Sequence, residues 1–475
     1  MVQILLIIIQ IINILTVLYM IFKENRSPNS IIAWIFILHL APALGFVLFL
    51  LIGRRVGNSN VFGIKEAELK VIDSYIEYER KSIRENTTLA NNDMIRFISE
   101  LGYFPYREEA NISLYTHGED FFNELIESIK LAKESINIQF YIFKTDDIGK
   151  KVLKELVKKA REGVEVRLLY DSVGSRSLNK KVLVDLIQAG GKVGEFFPSW
   201  LKFININMNF RNHRKIVVID NKVGFVGGFN VGDEYLGKNK KFGYWRDTHI
   251  KLEGVATKDL NLRFLADWRY ATKEDISLDW LLKGSSSIEK SNSGVQIVSS
   301  GPNLENTYEI KLTYLKMIQK AKKYVYIQSP YLILDKSILD SLEIAAKSGV
   351  DVRIIIPGKG DHPLVYWANL FYAGDLVNSG VKIYHYDKNA FLHSKTVVID
   401  DKICSIGTAN MDNRSFERNF EVNAVIYSEE ISIKQRKAFE DDLLESVELT
   451  AEEYNNRTLW VRIKAGFSRL FSGVL

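Results

Sequence analysis

The chain has 475 residues, with 63 Lys and Arg against 58 Asp and Glu, a net charge of +5; at roughly 150 residues per domain that is about three units. Hydrophobic residues make up 47% and charged residues 25%, which excludes a largely disordered chain. A single cysteine, Cys404, excludes an internal disulfide and a zinc site built from several thiolates, and so small a net charge permits an anionic partner without demanding one.

The first element is apolar. Val2 to Phe22 is almost continuously aliphatic, and after Lys23-Glu-Asn-Arg-Ser-Pro-Asn-Ser30 a second apolar run extends from Ile31 to Ile52 and closes on Gly53-Arg54-Arg55. Each run reaches the length of about 20 residues that a helix needs to cross a bilayer. A cleaved signal peptide would show a basic start and a small-residue cleavage site, and neither is present. A buried helical hairpin would show a polar face, which both runs lack. Residues 1–55 are therefore expected to form a two-helix transmembrane anchor in the cell membrane, with His39 and Pro42 at a kink in the second helix. Lys23 and Arg26 lie between the runs, whereas Arg54, Arg55, Lys65, Lys70, Arg80, Lys81 and Arg84 follow them. That bias puts the rest of the chain on the cytoplasmic side. Residues 56–110 read as a linker, partly helical.

The remainder is an α/β sequence that occurs twice. A helix over Phe121 to Lys133 precedes a strand over Ile136 to Phe143, a basic amphipathic helix over Gly149 to Arg161, and the strand Gly163-Val-Glu-Val-Arg-Leu-Leu-Tyr170. The same order returns as helix Glu309 to Lys322, strand Tyr324 to Gln328, helix Lys336 to Lys347, and Gly349-Val-Asp-Val-Arg-Ile-Ile-Ile356. β-Branched strands separated by helices require a sheet covered on both faces. The fold class is α/β, with two duplicated lobes over 111–283 and 295–475 and a Ser-rich linker over 284–294 between them.

Both halves carry the same constellation. Arg211-Asn-His213-Arg-Lys215-Ile-Val-Val-Ile-Asp220 leads to Gly227-Gly-Phe-Asn230, and Leu392-His393-Ser-Lys395-Thr-Val-Val-Ile-Asp400 leads to Gly407-Thr-Ala-Asn410. The Asn follows its His by the same offset in each half. Composition alone would give one His-x-basic-x4-acidic match about 0.1 times, so the repeat carries chemistry. Side chains alternate along a strand, so His213 and Lys215 share a face, as do His393 and Lys395. A neutral imidazole is a nucleophile and a protonated one a general acid. A lysine ammonium has no lone pair for a metal but clamps an oxyanion. Two such pairs, with Asn230 and Asn410 as neutral donors, would surround one phosphodiester without a metal. Asp220 and Asp400 end their strands in turns, where a structural role is at least as natural as a chemical one.

These residues are similar to the paired motifs of the phospholipase D superfamily. The apolar start, Gly227-Gly-Phe-Asn-Val-Gly-Asp-Glu-Tyr235 and Asn413-Arg-Ser-Phe-Glu-Arg-Asn-Phe-Glu421 resemble, within it, the bacterial cardiolipin synthases, over nearly the whole chain. The resemblance implies two phospholipase D-like lobes sharing one active site, with His213, Lys215, Asp220, His393, Lys395 and Asp400 as its catalytic residues. It implies transfer of a phosphatidyl group between two phosphatidylglycerol molecules, giving cardiolipin and glycerol, with no cofactor and no metal. His213 would be the nucleophile and His393 the acid and then the base, an order that could be reversed. Lys215, Lys395, Asn230 and Asn410 would hold phosphoryl oxygens. A carboxylate would orient each imidazole, Asp247 for His213 and Glu421 for His393. Gly228 stands where the wider superfamily has Ser, while Thr408 keeps a hydroxyl in the second half.

Two other activities would use the same motifs: a phospholipase passing the lipid to water, and a phosphodiesterase acting on nucleic acid. Nucleic-acid binding calls for a basic stripe and excess, and the mild charge and apolar start weigh against it. His117, His249, His362 and His385 lack a motif and read as structural or solvent-facing, Arg211 and Arg414 as phosphate contacts or ion pairs, and Lys238-Asn-Lys-Lys241 as a solvated loop or, beside a bilayer, a contact for anionic headgroups. The stripe Trp460, Ile463, Phe467, Leu470 and Phe471 suits packing on the second lobe or contact with a lipid surface.

Overall fold

The computed structural model describes residues 2–24, 28–53, 92–108, 110–198, 209–274, 276, 293–302 and 308–472. The apolar start forms the helix Val2–Lys23, and the second run divides into Pro28–Leu40 and Pro42–Leu48 with a short wide turn over Phe49–Gly53. Pro42 has no N–H to continue the first piece, and it biases Ala41 away from helical geometry. The side-chain amide of Asn13 donates to the carbonyls of Leu38 at 3.0 Å and Pro42 at 3.2 Å, satisfying groups near that break. Met20, Trp34, Leu38 and Phe49 form the small core of this hairpin. Among the described residues no helix is long and apolar enough to cross a membrane.

The lobes repeat one topology. In the first, the strands lie in the spatial order Asn111–Tyr115, His249–Glu253, Val223–Gly227, Ile216–Ile219, Ser135–Phe140, Glu165–Asp171, Lys192–Phe196. In the second the order is Gly294–Ser300, Asn419–Tyr427, Ile403–Gly407, Thr396–Ile399, Tyr324–Gln328, Asp351–Pro357, Lys382–Tyr386, with Ser446–Leu449 added at the edge. The parallel pairs Ser135–Phe140 with Glu165–Asp171, and Tyr324–Gln328 with Asp351–Pro357, are joined by the helices Asp147–Arg161 and Lys336–Lys347. This is the crossover that a parallel pair demands. Asp146 and Asp335 cap those helices by accepting the N–H groups of Gly149 and Ile338.

Three apolar cores result. One outer core lies under the helices of the first lobe, around Phe121, Leu125, Ile138 and Leu156. Another lies under those of the second, around Tyr314, Met317, Ile327 and Leu342. The third joins the lobes: Ile216, Phe264 and Trp268 belong to it together with Val398, Phe420 and Phe439. The helices Ala256–Thr272 and Glu429–Leu444 contribute to this shared layer. Within the segment read as a linker, helix Asp93–Leu101 packs Met94 and Ile98 into the core of the second lobe. Residues 54–91 and most of the Ser-rich linker lie outside the described residues.

A buried ion pair and the hydrogen bonds of a buried arginine lock the halves together. Arg246 of the first lobe meets Asp442 of the second at 2.7 Å, both almost fully buried. Arg214 holds Asp267 at 2.7 Å and also donates to the carbonyls of Glu421 and Ser300 across the interface. Removing one partner of such a pair leaves a charge without compensation in a poorly solvated place. Asp442→Ala is expected to destabilise the protein by about 3–5 kcal/mol, read as a lowered Tm. Asp340→Ala, at the exposed Lys336–Asp340 pair, is expected to leave the Tm almost unchanged.

Candidate active site

The two motif histidines stand at the entrances of equivalent strands, and each entrance is paired to the opposite lobe. Arg211–Asn212 runs parallel to Asn419–Tyr427, with Phe420 opposite Asn212. Ala390–Leu392 runs parallel to Tyr244–Arg246, with Leu392 opposite Arg246. The ladders continue into the histidines, whose N–H groups donate to Phe420 O at 2.9 Å and to Arg246 O at 2.7 Å. The next residue on each partner strand is a carboxylate. His213 Nδ1 therefore meets Glu421 Oε2 at 3.0 Å, and His393 Nδ1 meets Asp247 Oδ2 at 2.6 Å.

This reverses the expected partnership, in which Asp247 served His213 and Glu421 served His393. Each imidazole is oriented by the carboxylate of the other half. The sequence could not decide between the two arrangements, because the duplication offers one carboxylate per half in equivalent positions. Only the strand exchange fixes the choice. A carboxylate on Nδ1 sets the tautomer and leaves Nε2 for reaction.

Lys215 and Lys395 sit on the same face as their histidines, as the alternation requires. Lys215 Nζ donates to His213 O at 2.7 Å, and Lys395 Nζ donates to His393 O. Both are almost completely buried. Burial lowers the Lys215 ammonium to about 7 and the Lys395 ammonium to about 8, against the pull of Glu421 and Asp247. Each lysine also depresses the other or a histidine of the opposite motif, which is how four groups far apart in sequence form one electrostatic unit. Burial brings His393 down to about 4 and pushes His213 below its ordinary value, so both imidazoles are neutral near pH 7. Burial works against the two carboxylates, yet His393 and Lys395 hold Asp247 low, and His213 and Lys215 do the same for Glu421.

Asp220 and Asp400 lie elsewhere, which corrects their expected catalytic placement. At about 3.3 Å per residue a strand carries the seventh residue after a His roughly 20 Å away. There Asp220 accepts the backbone N–H groups of Lys133, Glu134 and Ser135, and Asp400 those of Lys322, Lys323 and Tyr324. Both residues have φ of +53° and open the three-residue turn of a hairpin, with Ile219 opposite Val223 in one lobe and Ile399 opposite Ile403 in the other. Each aspartate ties that turn to the start of the neighbouring strand, Ser135–Phe140 in one lobe and Tyr324–Gln328 in the other.

The asparagines differ. Asn230 is turned to protein on both sides, accepting the Ile142 N–H at 3.0 Å and donating to the Tyr235 hydroxyl at 3.0 Å. Asn410 donates to Asp412 at 3.3 Å, and its Oδ1 is buried without a hydrogen-bond partner among the described residues. The rings beside the histidines carried no motif: Tyr141 lies edge-on to His213 at 4.9 Å, and Trp245 lies 5.1 Å from His393. Trp245 had a signal, since it stands two residues before Asp247; Tyr141 had none. His249 is fully buried between Phe121 and Phe229, and burial keeps it neutral, at about 3. Gly228 has a steric reason: a Cβ there would lie 1.8 Å from Asp247 Oδ1. Thr408, in the equivalent place, donates its hydroxyl to Glu421 Oε2 at 2.6 Å.

A family model described as "Cardiolipin synthase, PLD-like domain" matches residues 125–252 and 314–443, and "Phospholipase_D-nuclease N-terminal" matches residues 11–54. The chain is 49% identical to a cardiolipin synthase of Staphylococcus aureus over 98% of its own length and 95% of that protein. The chain belongs to the cardiolipin synthase family. It is also 46% identical to the major cardiolipin synthase of Bacillus subtilis, with 98% of each chain covered. Among solved structures, a phosphatidylserine synthase of Haemophilus influenzae aligns with a TM-score of 0.60 over 81% of this chain and all of that one. Its 16% identity makes that a likeness of fold. The two PLD-like matches of the cardiolipin synthase model fall one in each lobe.

The geometry gives a coupled test. Gly228→Ala pushes the Asp247 carboxylate off His393, so it is expected to lower turnover by at least about 100-fold, as removal of an orienting carboxylate does. Asp247→Asn should cost a similar factor, and the double variant little more than either. Multiplying losses would mean that Gly228 acts on something other than Asp247. Between the ordinary value of 6.5 and about 4, the unfolded chain protonates His393 while the folded chain does not. His393 thus destabilises the fold progressively as pH falls through that window. His393→Gln should flatten the decline of Tm between pH 6.5 and 4.

Proposed function

We propose that this protein is a phosphatidyltransferase that converts two phosphatidylglycerol molecules into cardiolipin and glycerol through a phosphatidyl-histidine. The observation that carries the reading is the pair of imidazoles, each oriented by the other lobe's carboxylate and each with a buried lysine beside it, in a chain so similar to named cardiolipin synthases.

His213 Nε2 attacks phosphorus, and the P–O bond to the departing glycerol breaks as His393 gives that oxygen a proton. A hydroxyl of a second phosphatidylglycerol then passes its proton to His393 and attacks the same phosphorus, expelling His213. One phosphodiester is exchanged for another, so the step needs no external energy source. The site is built for an anion between two cations. Without one, Lys215 and Lys395 repel each other and burial depresses both. A phosphodiester placed between them raises the proton affinity of every nitrogen around it, which lets a neutral imidazole take up the proton that its role as acid requires. Asn410, whose amide oxygen is buried without a hydrogen-bond partner among the described residues, is less fully engaged by protein than Asn230 and is the better candidate for a phosphoryl contact. Asp220 and Asp400 keep the turns and have no part in the chemistry.

The N-terminal hairpin is the proposed membrane anchor. The sequence from Val2 to Phe22 is uncharged, and large apolar side chains such as Ile7, Ile11, Leu15, Phe36 and Leu44 face outward from the hairpin. Such a surface belongs in hydrocarbon. The basic run after the second helix supports catalytic lobes on the cytoplasmic side.

Purified full-length protein in mixed micelles is expected to form cardiolipin and release glycerol in equal amounts, and to do so in the presence of a chelator. His213→Ala and His393→Ala should each abolish turnover while the Tm stays within a few degrees of the parent. A denatured-gel band retaining labelled phosphatidyl group in the His393→Ala variant, and absent from His213→Ala, fixes His213 as the nucleophile. The reverse pattern exchanges the two roles. With one imidazole neutral and the other charged, kcat/KM should be bell-shaped in pH; a monotonic rise would sink the division of labour. Phosphatidic acid without cardiolipin would mean that water is the acceptor.

A further inference from the structure

The helix Leu459–Arg469 is amphipathic in an inverted sense. Its inward face is small, with Ala465 and Ser468 buried. Its outward face carries Leu459, Trp460, Ile463 and Phe467, followed by Leu470, with exposures of 73%, 64%, 50%, 57% and 76%. A helix packed on a lobe for stability turns its large apolar side chains the other way. The stripe read from the sequence is thus not a packing face.

What covers it is indicated by charge and by its neighbours. From residue 457 to the end the chain contains Arg457, Arg462, Lys464 and Arg469 and no acidic residue. The cations stand at the level of the rings: Lys464 Nζ lies 4.9 Å from the centre of Trp367 and 5.3 Å from that of Trp460, and the Arg469 guanidinium lies 4.5 Å from Phe371. Aromatic rings with cations beside them suit the boundary between headgroups and acyl chains. Trp367 and Phe371 belong to the helix Pro363–Asn378, against which the terminal helix packs.

The segments flanking both helices are tied to residues beside the second motif. Just before Pro363, Asp361 accepts the Tyr331 hydroxyl at 2.5 Å, and Asn369 holds Leu332 N and Pro330 O. Asp361 is also among the charges felt by Lys395. At the other end, Asn413 donates to Ser472 O at 3.3 Å, three residues beyond Asn410 of the second motif.

We propose that helix Leu459–Arg469, backed by Pro363–Asn378, lies in the headgroup layer of an anionic bilayer and sets the mouth of the active site against it. The partner is a lipid surface rather than another protein: the cationic flanks complement anionic headgroups, and the outward apolar face has the depth of side chains instead of a groove. The assignment of substrate rests on the proposed phosphatidyl transfer; the surface contact itself does not.

The test uses the full chain reconstituted in vesicles. Phe467→Cys carrying an environment-sensitive fluorophore is expected to be quenched by brominated phosphatidylglycerol, and more strongly than in phosphatidylcholine vesicles. The same label on Lys347→Cys, at an exposed helix end, should stay unquenched. A label at residue 467 that remains in water overturns the proposal. So does one that is shielded but untouched by lipid quencher, which would mean a protein cover. In parallel, the Trp460→Glu, Phe467→Glu double variant should lower turnover of long-chain phosphatidylglycerol in vesicles by about tenfold and leave that of a short-chain, water-soluble analogue within about twofold. Equal losses on both substrates overturn the surface role. The quenching readout needs no turnover, so it stands even if the transfer reaction fails.

Discussion

The structure depends on an exchange of short strands between lobes. Arg211–Asn212 and Ala390–Leu392 are too short to form sheets of their own, yet each adds backbone hydrogen bonds to a strand of the opposite half and carries its histidine across with it. A backbone ladder fixes register to the residue, and the carboxylate following the paired position is delivered to the ring with no freedom to choose. The shared core and the Arg246–Asp442 and Arg214–Asp267 pairs hold the ladders in place. Neither lobe contains a complete site. Duplication alone would yield two half-sites; the exchange makes them one.

The electrostatics follow from that convergence. Two ammonium groups, two carboxylates and two imidazoles lie within electrostatic reach of one another, all buried except His393, which keeps a small exposed edge. Burial penalises every charge there, so the lysines fall toward neutrality and the imidazoles stay neutral, while the carboxylates remain ionised because cations face them. In the proposed transfer a phosphodiester would supply the negative charge that this arrangement lacks and relieve the repulsion between the lysines. The site is organised for the bound state rather than the empty one.

The halves are not identical, and the difference is compensated locally. The first lobe pairs a shorter carboxylate, Asp247, with a glycine at 228 that makes room for it; the second pairs a longer one, Glu421, with the Thr408 hydroxyl as an added donor. Exchanging only one member of either pair would leave a clash or an unmet hydrogen bond. This is the sense in which Gly228 departs from the wider pattern without weakening the site.

Much of this was legible from residue order. The 3.6 and 2.0 periodicities marked helices and strands, the repeated Gly-Val-acidic-Val-Arg strands betrayed the duplication, and the spacing of His213 to Lys215 and His393 to Lys395 put each pair on one face, because those relations are local and the backbone alone enforces them. The fate of Asp220 and Asp400 was half legible, since a turn residue at the far end of a strand cannot reach the start of it. What the tertiary structure decided was partnership between distant segments: which carboxylate serves which histidine, which asparagine is already engaged, and that the apolar stripe after Trp460 faces outward. Periodicity says that a helix has an apolar side, and contacts across the fold determine where that side points. Residue order likewise could not tell apart two equivalent carboxylates, because the identity of an opposite strand is set by hydrogen bonding between chain segments 208 and 146 residues apart, about which neither local sequence carries any information.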